Sequence, residues 1–439
     1  MRKARLSFIS AIAVFAALAL HAHAEEPPVP APNVLDLIKQ LGSEDFDTRE
    51  NATAAITRLG EVCIPELQAA LPQTRDLETK NRLEGLLRLW ANGGTVWTSD
   101  AGVFFGHPAV VGNRVYVVNK DFSVYCLNAV TGAVIWSTPT GDLMYHSVAV
   151  ADERVFVIRT RKEGRKDGTL FCLGAKDGKK LWEYKFEIDS QTFTAPMVAG
   201  GHLYLASEKT LFCMDPATGK VEWQFEGPDT WLSAPTVAGE KILIGSLDQK
   251  LHCLSAADGK PVWEFETGGS VYAGAAVADG FAYLGSHDRK IYCLDLKDGK
   301  KIWEFPAGGI VAGTPAVSRG RVYAGGDDGS FFCIDAKTGT KLWQFQTAGN
   351  VFTSPAVCEN QVFVSSLSNK LTLYCLAAED AKELWTFETK EGGYTNPVLA
   401  GNRLFVGYHS RFYCVRTGLK GPANWPMTSA NPARTGCND

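Results

Sequence analysis

The 439-residue chain has no His-Glu-x-x-His motif, no Cys-x-x-Cys-His motif, no Trp-Asp dipeptide and no two adjacent cysteines. The first absence removes the helical zinc site of the common metalloproteases. The second removes covalent haem, and the third counts against WD-type propeller repeats. A charge excess is missing too: 44 Lys and Arg face 48 Asp and Glu, for a net charge of -4. Nucleic-acid binding calls for a clustered basic excess, so no nucleic-acid partner is expected. Beyond residue 24 no apolar run is long enough to span a bilayer. What remains is globular composition, 45% hydrophobic and 21% charged, with material for a sizeable core.

One apolar run does occur, at the start. Arg2, Lys3 and Arg5 precede the stretch from Phe8 to Leu20, and Ala22-His23-Ala24 follows it. A basic head, an apolar core too short for a membrane helix and small residues flanking a cut describe a signal peptide over 1–24. The expectation is an exported, soluble periplasmic or secreted protein with no transmembrane segment after cleavage. Residues 25–32 read as a Pro-rich linker.

Helix-period apolar positions occupy 33–92. Leu35, Leu37, Ile38 and Leu41 mark one helix, ended by Gly42, with Ser43 or Asp45 capping the next. Ala52, Ala55, Ile56 and Leu59 mark the second, closed by Gly60. Leu67, Ala70 and Leu71 mark a third, stopped by Pro72, and Leu83, Leu86, Leu87 and Trp90 a fourth. The run Asp47-Thr48-Arg49-Glu50-Asn51-Ala52, followed by Leu59-Gly60, resembles the HEAT-like repeat pattern, with a generic helical hairpin as the alternative.

From 93 to 439 the period becomes that of strands. Cys126, Cys172, Cys213, Cys253, Cys293, Cys333, Cys375 and Cys414 recur about every 40 residues, and the first seven are followed ten positions later by Trp136, Trp182, Trp223, Trp263, Trp303, Trp343 and Trp385. The unit at 309–347 shows four strands: 311–317, 321–325, 330–335 and 341–345, with Thr338-Gly339 as a hairpin turn. Four short antiparallel strands per repeat, eight times over, predict a mainly β fold: an eight-bladed β-propeller behind a small all-α domain. Trp97 and Trp425 flank the array. Ring closure by the strand around Trp97 is expected, with closure by Trp425 as the alternative. The repeat cysteines lie too far apart in neighbouring sheets to bridge, since stacked sheets sit about 10 Å apart and a disulfide needs Cα atoms within about 7 Å. Cys63, Cys358 and Cys437 stand outside the repeat, and Cys358 with Cys375 is the one pairing to check.

Met214-Asp215-Pro216-Ala217-Thr218-Gly219-Lys220-Val221-Glu222-Trp223 and Ile334-Asp335-Ala336-Lys337-Thr338-Gly339-Thr340-Lys341-Leu342-Trp343 resemble the tryptophan-docking motif of the PQQ-like (BamB-like) β-propeller repeat family. The resemblance spans about 93–439 and makes Trp97, Trp136, Trp182, Trp223, Trp263, Trp303, Trp343 and Trp385 structural. Quinoprotein dehydrogenases of this family carry a vicinal cysteine pair, which this chain lacks, and Glu, Asn and Asp for calcium, of which its innermost strands offer few. No cofactor is therefore expected, pyrroloquinoline quinone with calcium included, nor any catalytic or metal site.

Aromatic residues recur three positions before the first-strand proline, at Phe105, Tyr145, Phe193, Tyr272, Phe352 and Tyr394. With His107, Tyr145, His146 and Asn396 they are the candidates for ligand binding in the channel; the bland reading is inter-blade core and satisfied histidines. An insertion in the second blade gathers Arg161, Lys162, Arg165 and Lys166, a candidate partner contact or simply a solvated tip. The resulting expectation is a non-enzymatic protein-interaction scaffold of the bacterial cell envelope, its partner another envelope protein. The alternatives are a channel receptor for a small molecule or sugar, then a quinone-dependent dehydrogenase.

Overall fold

The computed structural model describes residues 33–59, 63–89, 93–99, 104–119, 121–141, 147–159, 167–187, 193–389, 396–408 and 411–419. It divides between Leu87 and Arg88 into two compact units. The leader, the basic insertion with Arg161, Lys162, Arg165 and Lys166, and also Tyr145, His146, Tyr394, Trp425 and Cys437 lie outside the described residues.

In the first unit, helices run over Val34–Gln40, Phe46–Leu59, Ile64–Ala70 and Leu77–Leu89. Asn33 caps the first through its Oδ1, which accepts from the Leu35 N–H at 3.0 Å. Asp45 caps the second, accepting from the Thr48 hydroxyl and from the Thr48 N–H at 2.8 Å, and these two bonds lower its pKa. Leu41, Ala52, Ile56, Leu67 and Leu83 form the buried interior, which is why these short helices hold. Pro72 does not stop the third helix cleanly. It sits in a 3-10 turn, Leu71–Gln73, that extends it, a position where the missing proline N–H costs little.

In the second unit, eight four-stranded antiparallel sheets follow one another. Blades are numbered here in chain order, blade 1 beginning at Phe104 and blade 8 at Val398. The strand Thr95–Ser99 pairs with Arg411–Arg416 and so supplies the outer strand of blade 8. Trp97 therefore closes the ring, and no blade is left with an unpaired inner partner. First strands of adjacent blades contact each other from blade 8 through 1 and 2 to 3, and from 5 through 6 to 7, whereas the fourth strands of blades 4, 5 and 6 are exposed but for the tryptophan and the phenylalanine two residues on. The first strands are the innermost. In blade 6 the first strand is shorter than its sequence suggests: ladder pairing covers Ala316–Ser318, not 311–317. Pro315 has no N–H to donate, and Gly313 lies so near the Thr353 carbonyl that a Cβ would stand 2.5 Å from it.

One joint repeats around the ring. Each of the eight outer-strand tryptophans donates its Nε1–H to a backbone carbonyl of the next blade: Trp97 to Ala129 at 3.0 Å, Trp136 to Ala175 at 3.1 Å, Trp303 to Ala336 at 2.9 Å and Trp343 to Ala378 at 3.0 Å. Trp182, Trp223, Trp263 and Trp385 bond Pro216, Ala256, Leu296 and Thr417 in the same way. The ring covers the hairpin glycine of that next blade so closely that a Cβ on Gly299 would lie 2.6 Å from Trp263. Glycine is required there twice over, because its φ is +75°.

The eight repeat cysteines are all free and fully buried. Desolvation pushes their thiols up, to about 11 in Cys126, Cys253 and Cys333 and to about 12 in Cys172, Cys293 and Cys414. They act as small hydrophobes. Cys63 is free and buried as well. The pairing of Cys358 with Cys375 does not form: Cys375 is free, and Cys358 is in a disulfide whose partner lies outside the described residues.

Candidate functional site at the central channel

The residue just before the first-strand proline, or its equivalent, faces the neighbouring blade across the channel wall. In blades 6, 7, 8, 1 and 2 that residue is Thr314, Ser354, Asn396, His107 and Ser147, all polar. Each backbone N–H in this series donates to the side chain of the next. Thr314 N–H reaches Ser354 Oγ at 3.0 Å, and Ser354 N–H reaches Asn396 Oδ1 at 2.8 Å. Asn396 N–H reaches His107 Nδ1 at 3.0 Å, and His107 N–H reaches Ser147 Oγ at 2.9 Å. The arc carries hydrogen bonds from blade to blade and crosses the point where the chain closes on itself. In blades 3, 4 and 5 the same position holds Ala195, Ala234 and Gly274, so the channel has a polar side and a small, apolar side.

His107 and Asn396, two of the expected ligand-binding residues, are thus brought together, Asn396 Nδ2 lying 3.0 Å from His107 Nε2. A neutral imidazole has one lone pair. With Nδ1 accepting from the Asn396 N–H, the ring proton belongs on Nε2, and the approach of Nε2 to Nδ2 is a contact between two donors, not a second hydrogen bond. The histidine is committed to holding blade 8 on blade 1.

The aromatic set separates. Phe193 is buried in the core between blades 2 and 3, which matches the bland reading. Tyr272 is 43% exposed and stacks on His287, ring centroids 4.2 Å apart and 10° from parallel. Desolvation lowers the His287 pKa from its ordinary value, partly opposed by the Asp327 carboxylate. The acids around this platform are engaged with backbone: Asp288 Oδ2 accepts from the Gly268 N–H at 2.8 Å, and Asp327 Oδ1 from the Ile310 N–H at 2.7 Å. They brace the loops between blades, and neither stands free as a base.

Sequence reading singled out His107 and Asn396 but passed over Thr314 and Ser354. The signal was present as one column of the repeat, the residue before proline, polar in five consecutive blades. The Tyr272–His287 stack had no such signal, since His287 lies in a turn of blade 5 with nothing at the sequence level to aim it at Tyr272.

A family model described as outer membrane protein assembly factor BamB matches residues 84–192, 166–272 and 247–356, more than half of the chain. The chain belongs to this family. BamB of Burkholderia pseudomallei is 28% identical over 148 residues, which cover 33% of this chain and 36% of that protein. BamB of Salmonella typhimurium is 28% identical over 123 residues, 24% of this chain and 29% of that protein. The chain thus aligns with about a third of the length of these curated relatives. The crystal structure of BamB from Moraxella catarrhalis superposes with a TM-score of 0.62 at 17% identity, covering 73% of this chain and 99% of that one. At that identity the likeness is one of fold. Among the described residues no helix is long and apolar enough to cross a membrane.

Proposed function

We propose that this protein is a non-enzymatic interaction scaffold of the bacterial cell envelope, exported by its leader, that binds another envelope protein through the loop face of the propeller. The observation that carries the reading is the polar arc of the channel. Its four hydrogen bonds join five successive blades, which stiffens the channel wall and leaves recognition to the loops that a rigid ring displays. The family supports an assembly role in the envelope, with a partner of that class. No quinone or calcium takes part in this reading.

A second reading, a receptor for a small molecule or sugar at the channel mouth, is favoured by one observation, the half-exposed Tyr272 platform on His287. Flat aromatic faces of this kind bind sugar rings and other planar groups. Photo-crosslinking in the native host separates the two. A photoreactive residue at Tyr272 is expected to give one discrete protein adduct, and the same residue at Leu342 on an outer strand is expected to give none. Equal labelling at both positions, or no protein adduct at Tyr272, would overturn the scaffold reading.

A further inference from the structure

The repeat provides its own standard for spotting a departure. The residue opening the second strand is Arg114, Arg154, Lys241, Phe281, Arg321, Gln361 or Arg403 in seven blades, and the residue before the outer-strand tryptophan is Val96 in blade 8 and Ile135, Leu181, Val262, Ile302, Leu342 or Leu384 in six others. Those six are about half-exposed. Blade 3 breaks both columns at once, with His202 in the first and Glu222 in the second. Both columns flank the repeat cysteine. In blade 7 the first of them already reaches the sulfur, Cys375 Sγ lying 3.5 Å from Gln361 Oε1.

In blade 3 the result is a convergence of three metal-ligating groups. His202 Nδ1 is 2.6 Å from Glu222 Oε2, Cys213 Sγ is 3.5 Å from the same oxygen, and all three ligand atoms lie within 4.8 Å of one another. We propose that His202, Cys213 and Glu222 form a binding site for one divalent transition-metal ion of the zinc type, with solvent as fourth ligand. Zinc takes this combination of imidazole, thiolate and carboxylate, and bonds of about 2.0–2.3 Å place tetrahedral ligands roughly 3.5 Å apart. The sulfur and carboxylate are at that spacing already, and the imidazole and carboxylate need to part by about 1 Å. The site has an entry path, because the His202 and Glu222 side chains are 42% and 36% exposed above the buried sulfur. It also has a supporting group: Tyr204 pairs with Cys213 across the neighbouring strands, and its ring packs beside His202, centroids 6.1 Å apart. On binding, the Cys213 S–H proton passes to solvent as the sulfur–metal bond forms.

The site lies on the outer part of blade 3, away from the channel, and does not depend on the scaffold reading. The test uses Co2+ as the probe on the full chain, with the double variant His202→Arg and Glu222→Leu. That variant restores the residues of the other blades and so keeps the fold, which far-UV circular dichroism verifies. The wild type is expected to bind one Co2+ with a thiolate-to-cobalt charge-transfer band in the near ultraviolet, displaced by Zn2+, and the variant to lose that band. No band in the wild type would show a plain surface ion pair beside a core cysteine and overturn the proposal. A band of equal strength in the folded variant would place the metal elsewhere and overturn it too.

Discussion

Two single residues in the ring hold unfavourable states that can be measured. His287 is held below its ordinary pKa by burial under Tyr272, so the folded protein takes up its proton less readily than the unfolded chain. The sign follows from linkage. Above the unfolded value of about 6.5 the group costs nothing, and stability falls as pH drops below it toward the lowered folded value. An NMR titration is expected to place the His287 midpoint below 6.5, and His287→Gln to flatten the stability slope between about pH 5 and 6.5. A midpoint at or above that value would contradict the burial argument. Ala381 is the second case. It occupies the hairpin position that is glycine under most of the other tryptophans, with φ at +61°. Left-handed backbone costs an L-residue about 1–2 kcal/mol, partly offset by the extra freedom glycine has when unfolded. Ala381→Gly should therefore stabilise by about 0.5–1 kcal/mol in urea denaturation, and Gly299→Ala should destabilise by about 1–3 kcal/mol.

At the scale of the element, the unit is the outer strand with its tryptophan set on the next blade. Trp303 buries its ring against Tyr283, centroids 5.9 Å apart, and bonds Ala336. Trp303→Ala is expected to cost about 3–5 kcal/mol, seen as a lower denaturation midpoint. A loss under about 1 kcal/mol would mean that the joint contributes little. This joint was legible in the sequence because its parts recur: cysteine, turn glycine and tryptophan sit at fixed spacing, and repetition marked each as structural. The first strands were legible only in place, not in extent. Nothing local announces that Gly313 must clear the Thr353 backbone, so a seven-residue strand was expected where three residues pair. The channel arc was half legible. His107 and Asn396 stood out as oddities, while Thr314 and Ser354 passed as ordinary strand residues. Their role depends on the neighbouring blade, about 40 positions away in sequence, and local reading does not carry that far.

For the whole molecule, closure is the property that matters. The strand Thr95–Ser99 completes blade 8, Trp97 bonds Ala129 in blade 1, and the Asn396–His107 contact bridges the same junction on the channel side. Blades 8 and 1 are thereby locked at both the outer edge and the inner wall. Trp97→Ala should open this junction before the others. In native-state hydrogen exchange the amides of Arg403–Tyr408 and Arg114–Asn119 would lose protection while blades 4 and 5 keep theirs. Uniform loss around the ring would contradict closure at this point. With the ring closed and four hydrogen bonds of the arc running from blade to blade, the proposed function leaves recognition to the loops that the ring displays. The proposed function is that of a rigid ring that holds a protein partner without a cofactor. Native mass spectrometry of the mature protein, isolated gently from its own host's envelope, tests it most directly. A stoichiometric complex with one envelope protein and no added mass of a quinone is the expected result. A propeller that carries a quinone with calcium and no protein would contradict it.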